Sequence, residues 1–118
     1  MATSKINLPV SSKVLSPTLV ATSNFEIVQS SLREIDNHAI VGCLILKCTA
    51  NWNSNDYIFT LGTPLPSYTF LIAGVRSSQW SGAVIRSTVF YYNSDGRINS
   101  NTSYTAGEYI TIEFNVGL

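Results

Sequence analysis

Charged residues are scarce in this chain of 118 residues. They make up 12% of the sequence, against a usual share of ~25%, and seven basic side chains balance seven acidic ones. A nucleic-acid-binding domain usually carries a basic patch, and docking to an anionic membrane surface needs clustered Lys and Arg. The composition therefore argues against nucleic acid as a partner and against electrostatic binding to a membrane.

Long apolar stretches are missing as well. No run of about 18 apolar residues is present, so we expect no membrane insertion. The opening stretch MATSKINLPVSSKV also lacks the apolar central region of a secretory signal peptide. If the first Met is native, we expect the protein to be made in a cytoplasm and to reach any outside location by assembly or by lysis.

Cysteine and histidine are too few for a metal site or a disulfide framework. Cys43 and Cys48 belong to one apolar segment, and in a strand their odd spacing puts them on opposite faces. They would lie roughly 16 Å apart, whereas a disulfide needs Cα atoms within ~7 Å. With His38 as the single histidine, a zinc site is not expected either. We therefore expect no disulfide, no metal and no cofactor.

Catalytic motifs are equally hard to find. No G-x-S-x-G sequence is present, and the seven glycines are dispersed rather than gathered in a phosphate-binding loop. The seven carboxylates show no spacing that pairs two of them for glycoside hydrolysis. We therefore expect that the protein is not an enzyme. A small glycan depolymerase module stays open as an alternative, because pairing in space is invisible in the sequence.

A period of two runs through most of the chain. In EYITIEFNV (108–116), the residues Ile110, Ile112, Phe114 and Val116 share one strand face and polar residues take the other. Short strands of this kind, separated by polar turns, predict an all-β fold. We expect an antiparallel β-sandwich or jelly-roll-like domain of about seven to eight strands.

The sequence also predicts a hairpin and a division of the chain. Asp95-Gly96 supplies the positive φ angles of a tight turn, so 83–93 and 97–101 are expected to pair. Residues 1–23 show no steady period and are expected to form an extended lead-in, a linker or an arm on a neighbouring subunit. Residues 24–118 then form the domain itself.

Two predicted strands, AIVGCLIL (39–46) and YTFLIAGV (68–75), are apolar on both faces. A strand that is buried on both sides needs cover from two layers. One hypothesis is that alternate residues of these strands line an oligomer interface, since obligate interfaces resemble a domain core cut in half. The alternative is that loops or the lead-in arm cover them.

Two tryptophans in polar loops are the candidates for ligand contact. Trp52 lies in ANWNSND with Asp56 close by, and Trp80 lies in RSSQWSGA near Arg76. An indole stacks on the C–H face of a sugar ring while polar neighbours bond to its hydroxyl groups, so both loops fit a saccharide. The alternative is that each indole packs over the edge of the core, because Trp is usually buried. His38 is a weaker candidate, since a histidine at a hairpin end commonly bonds to the backbone.

The order of these features resembles a known family. The stretch FEIVQSSLREIDNHAIVGCLILKCTANWNSNDYIFTLGTPLPSYTF reads as strand, charged turn, apolar strand, polar T-A-N-W-N loop and a proline shoulder. Two further strands, the SDGRI hairpin and a final EYITIEFNV follow it. Over roughly 24–116 this order is similar to the C-terminal head domains of bacteriophage tail-fibre and baseplate receptor-binding proteins, including those of phages of lactic acid bacteria.

The resemblance implies a homotrimeric β-sandwich head that binds a host cell-surface polysaccharide without catalysis. It also implies a place in the virion, in the tail or baseplate, with other virion proteins as partners. On the matching positions, the saccharide contacts would come from Trp52 and Asp56, while residue chemistry adds Trp80, Arg76 and His38. The alternative is a structural virion or baseplate-assembly protein that has no ligand of its own.

Overall fold

In the part of the chain that this computed structural model describes, all regular secondary structure is antiparallel β-strand. The described residues are 11–20, 24–53, 57–65, 70–78, 83–92 and 96–118. Within them, strands β1 to β10 are Ser12–Val14, Thr18–Leu19, Phe25–Ser30, Arg33–Ile35, Ala39–Cys48, Phe59–Thr60, Phe70–Arg76, Arg86–Tyr92, Arg97–Ser100 and Tyr109–Gly117. The prediction of an all-β fold is confirmed, and across these ranges no helix is long and apolar enough to span a membrane.

All ten strands belong to one antiparallel sheet, which curls into a half-barrel. The spatial order is β1-β4-β5-β10-β7-β8-β9-β6-β2, and β3 pairs with the same edge of β5 as β4 does. β1 and β2 lie at opposite ends of this order, although they are close neighbours along the chain. One short segment therefore joins both edges, and the sheet must curve round on itself to let it do so.

The segment that carries β1 and β2 is fastened to the core. The side chain of Leu15 is buried, and its N–H donates a hydrogen bond to the carbonyl of Leu32 at 3.0 Å. At the other edge, the N–H of Val20 donates to the carbonyl of Ile58 at 2.9 Å. The described part of the expected lead-in, residues 11–20, thus pairs with the sheet, and Leu15 is buried there.

β10 runs through the middle of the sheet between β5 and β7. Its residues Ile110, Ile112, Phe114 and Val116 are all buried, while the alternate residues are half-buried or exposed. This is the alternation that the sequence predicts for 108–116. The inner face of the curled sheet therefore carries the core, and its outer face meets solvent.

β3 and β4 together cover one edge of β5, with a break opposite Gly42. Gly42 has a φ of 130°, a region that only glycine occupies freely, and a Cβ added there would collide with the carbonyl of Ser31. The close approach is fixed by the N–H of Ser31, which donates to the carbonyl of Cys43 at 2.9 Å. Gly42 therefore lets the chain turn inwards to bury Leu32.

The hairpin predicted around Asp95-Gly96 is present as β8 and β9. The two strands pair from Tyr92 opposite Ile98 to Phe90 opposite Ser100. Gly96 has a φ of 86°, the positive angle that the turn was expected to need. Asp95 itself lies outside the described residues.

Both cysteines lie in β5, and both are free thiols. This confirms that they do not bridge each other. Cys48 is buried and its Sγ lies 3.1 Å from the carbonyl oxygen of Ala50. Burial raises the pKa of both thiols above the ordinary value, so neither has the character of an activated nucleophile.

Candidate interaction surface

Trp52 is part of the core. Its side chain is only 6% exposed, with its ring centroid 5.7 Å from that of Phe25 and 6.0 Å from that of Tyr104. The backbones of Trp52 and Tyr104 also exchange two hydrogen bonds, of 2.9 and 3.0 Å. Packing at the core edge, the alternative that the sequence left open, therefore accounts for Trp52. An indole in this position offers no open face for a sugar to stack on.

The asparagines around Trp52 also have structural partners. The side-chain oxygen of Asn51 accepts from the N–H of Ala106 at 2.9 Å, and that of Asn53 accepts from the hydroxyl of Ser103 at 3.3 Å. From the other side, the amide of Asn24 donates to the carbonyl of Asn51 at 3.1 Å. These contacts fix the loop to its neighbours, so the amide groups expected to bind hydroxyl groups of a sugar are largely engaged within the domain.

Of the remaining predicted contacts, the two that the structure describes, His38 and Arg76, lie at opposite ends of the sheet. Asp56 and Trp80 lie outside the described residues. His38 is exposed at the tight turn between β4 and β5, where Asp36 and Asn37 both have positive φ angles. Its N–H donates to the carbonyl of Ile35 at 2.8 Å, which is the hairpin-end position that the sequence left as the alternative to ligand binding.

Arg76 is a predicted contact whose side chain is half-buried. It ends β7 and lines a shallow groove on the outer face of the sheet, together with Ile72, Val84, Thr111 and Glu113. Its Nε atom is buried, and no described residue accepts a hydrogen bond from it.

The most exposed apolar surface of the described chain lies beside this groove. Five large apolar side chains on or beside the outer side of β7 and β8, which we call the β7–β8 outer face, are between 37% and 71% exposed. They are Phe70, Ile72, Val84, Ile85 and Val89. Ile72 and Val89 pair directly across the two strands, and Val84 folds over Gly74. Soluble monomers rarely expose contiguous apolar patches much larger than this, so the surface fits an interaction site.

The sequence had indicated this surface through the apolar pattern of 68–75. On β7, the inner residues Leu71, Ala73 and Val75 are buried, while the outer residues Phe70 and Ile72 meet solvent. The second strand with this pattern, β5, behaves differently because its outer face is already half covered. The outer face of β7 is therefore open to a partner, whereas the outer face of β5 is already half covered.

A buried polar network beside the core is a feature that sequence reasoning missed. The Tyr104 hydroxyl donates to Thr88 at 2.8 Å and shares a 2.9 Å hydrogen bond with the Ser100 hydroxyl. Beside it, the Arg86 guanidinium donates two hydrogen bonds to the Glu108 carboxylate, of 2.7 and 3.1 Å. These polar residues stand on three different elements, so no local pattern announces the cluster.

The hydrogen bonds of this network indicate a structural role rather than a catalytic one. Burial raises the pKa of Tyr104, which keeps its hydroxyl protonated. The Arg86–Glu108 ion pair next to it also bonds to the Ser103 carbonyl and the Thr105 N–H. Each group already has a partner, so no activated base or nucleophile is left over. Among the described residues, no group of three or more His, Cys, Asp or Glu is placed to hold a metal ion.

Comparisons of the chain with protein-family models, with curated proteins and with solved structures each found no match. The resemblance to phage head domains therefore remains a prediction from the order of sequence features. The site that the geometry itself presents is the β7–β8 outer face with its bordering groove.

Proposed function

We propose that this chain is a non-catalytic, β-sandwich-like head domain of a virion tail or baseplate, and that its main role is assembly with copies of itself as a homotrimer. The β7–β8 outer face carries the proposal. Its five apolar side chains together expose on the order of 500 Å². A standard interface buries about 800 Å² on each partner, so this surface has the size of the apolar centre of such an interface.

The scarcity of charge supports a copy of the same chain as the partner. The five side chains of the β7–β8 outer face are all uncharged, so the same face of a second copy covers them without desolvating an ion, while Arg76 and Glu113 border them at the groove. The pairing of Ile72 with Val89 gives the face a flat apolar centre that a second copy can cover. Neighbouring virion proteins are the further partners that the resemblance implies.

The test introduces a charge into the centre of the face. Val89→Glu should raise the dissociation constant of the assembly by about 100-fold, because a carboxylate must lose its water to enter an apolar contact. Val14→Glu is the matched control, since Val14 is an exposed valine on β1 at the edge of the sheet. Sedimentation equilibrium across the micromolar range measures both. A wild-type protein that sediments as a clean monomer at these concentrations refutes the proposal.

Receptor binding is the second candidate, and Arg76 is the observation that favours it. The groove is bordered by the Arg76 guanidinium, the Thr111 hydroxyl and the Glu113 carboxylate, which together offer donors and acceptors to a neutral polyol. We propose a host cell-surface saccharide as that ligand. Arg76→Gln should weaken binding to host cells while leaving the thermal stability and the oligomeric state unchanged. Equal cell binding by wild type and variant removes the groove as the receptor site.

A further inference from the structure

The sheet splits open between β7 and β10. The two strands pair from Tyr109 opposite Arg76 to Ile112 opposite Ala73, and the paired register stops there. Beyond this point, among the described residues, β7 pairs only with β8 and β10 pairs only with β5. The gap, which we call the β7–β10 slot, has a volume of about 510 Å³. It is lined by Phe70, Leu71 and Ile72 on one side and by Glu113, Asn115 and Gly117 on the other.

Both sides of the slot present backbone groups that point into it. The N–H of Leu118 donates to His38, so the even-numbered residues of β10 face β5 and the odd-numbered residues face the slot. In the same way, the Val75 carbonyl accepts from Ile85, so the odd residues of β7 face β8 and the even residues face the slot. The N–H and C=O groups of Phe70, Asn115 and Gly117 therefore line the slot without a strand partner in the described chain.

An extended peptide is the ligand that matches such a slot. Two open strand edges that face each other bond to the N–H and C=O groups of a third strand laid between them. On the inner side, the buried residues Leu71 and Val116 would meet apolar side chains of that strand. On the outer side stands Glu113, whose carboxylate is exposed and makes no hydrogen bond or ion pair with the described residues.

The first ten residues of this chain have the sequence that the slot requires. In MATSKINLPV, Ile6 and Leu8 alternate with Lys5 and Asn7, so a strand over 5–8 has one apolar and one polar face. Lys5 is the only Lys or Arg of the stretch and matches the carboxylate of Glu113, which pairs with none of the described residues. Pro9 has no N–H to donate and therefore marks the end of the stretch that pairs on both sides.

The position of Ser11 decides which copy of the slot this arm reaches. Ser11 bonds to Asp36 at the turn between β4 and β5, which is the end of the sheet where the slot opens. From there to the slot beyond β10 the span is about four strand spacings, roughly 19 Å, which takes about six extended residues. Within one copy, this span would use up residues 5–10. The alternating stretch 5–8 therefore fits only the slot of another copy.

We propose that residues 1–10 of one copy add a strand over 5–8 to the β7–β10 slot of a neighbouring copy. This strand exchange rests on the self-assembly proposed above and specifies how the copies are linked. The strand closes the split in the sheet, places Ile6 and Leu8 beside Leu71 and Val116, and brings Lys5 to Glu113.

The test uses two full-length variants that each remove one half of the contact. Gly117→Trp fills the mouth of the slot, and the domain should tolerate it because a Cβ added at Gly117 meets no atom within 4 Å and the rest of the indole extends into the slot. The double variant Ile6→Asp, Leu8→Asp makes the arm polar. The matched controls are Gln29→Trp, at an exposed position of β3, and Ala2→Asp with Thr3→Asp, outside the pairing stretch.

Each test variant should raise the dissociation constant by roughly tenfold or more over its control, since several backbone hydrogen bonds and an apolar contact are lost. A mixture of the two should regain association, because the intact arm of one fits the intact slot of the other. Native mass spectrometry identifies these mixed complexes by mass.

Two results overturn the strand exchange while self-assembly stands. One is that wild type and both variants associate equally well. The other is that each variant is weakened but the mixture yields no mixed complex, which means that the arm acts within its own chain. A wild-type monomer at every concentration defeats the assembly itself, and with it the exchange.

Discussion

Replacement of Trp52 tests whether this residue holds the fold together or serves a ligand. The indole is 6% exposed and packs edge-on against Phe25, with Tyr104 on its other side. An aromatic side chain buries up to ~250 Å², and at ~25 cal/mol per Å² its loss beyond alanine amounts to ~5 kcal/mol. A compact unfolded state lowers this figure by 10–40%, so we expect Trp52→Ala to cost about 3–4 kcal/mol.

The assay is equilibrium unfolding in urea, followed by far-ultraviolet circular dichroism. Trp52→Ala should lower the free energy of unfolding by this amount with the denaturant slope unchanged, and Trp52→Phe should recover about half of it. Asn53→Ala is the control next door, since the exposed Asn53 makes one 3.3 Å hydrogen bond to Ser103 and should cost less than about 1 kcal/mol.

The burial of Trp52 also predicts how its replacement affects binding. Under conditions where wild type and Trp52→Phe are both fully folded, adsorption to host cells should be the same. A loss of stability below about 1 kcal/mol for Trp52→Ala would falsify the packing assignment. A folded Trp52→Phe protein that no longer binds cells would restore the residue as a ligand platform.

Two further predictions concern the backbone and the polar network. Gly42→Ala should lower the free energy of unfolding by about 3 kcal/mol or more, because it forces a non-glycine residue to a φ of 130° and drives its Cβ into the Ser31 carbonyl. Gly117→Ala is the control and should change the free energy of unfolding by less than about 1 kcal/mol. Urea unfolding measures both variants. Burial raises the pKa of Tyr104 above its ordinary 10.0, so the folded state holds the hydroxyl proton to a higher pH than the unfolded state does. The stability that this group contributes is therefore fully present below pH 10.0. It is lost as the pH rises towards the folded-state pKa. Urea midpoints should therefore fall more steeply above pH 10.0 for wild type than for Tyr104→Phe, in which the two cysteines still ionise; parallel curves contradict this.

Much of the fold follows from patterns that are local in the sequence. Strand β10 alternates because its side chains point to opposite faces of the sheet, and this period is visible in EYITIEFNV without any partner. The glycine of the β8–β9 hairpin and the two unbridged cysteines follow from backbone geometry over a few residues. The apolar pattern of 68–75 likewise indicated the exposed apolar face of β7. In a strand that is apolar on both faces, one face packs on the core and the other apolar face remains on the outside.

The places where the sequence misled all depend on contacts between distant residues. The residues next to Trp52 in the sequence are mostly polar. Its backbone pairs with Tyr104 and its ring contacts Phe25, so residues distant in the sequence decide its burial. Strands β1 and β2 are only two or three residues long, too short to show a period in the sequence. They pair with opposite edges of the sheet, and they can do so only because the sheet curls.

The sequence by itself therefore determined the class of fold, the faces of the long strands and the absence of a disulfide, because each depends on the geometry of a single strand or turn. The tertiary structure decided which aromatic side chain is buried, which strand face stays open and where β7 parts from β10. These depend on register and on sheet curvature, which arise only when all strands pack together.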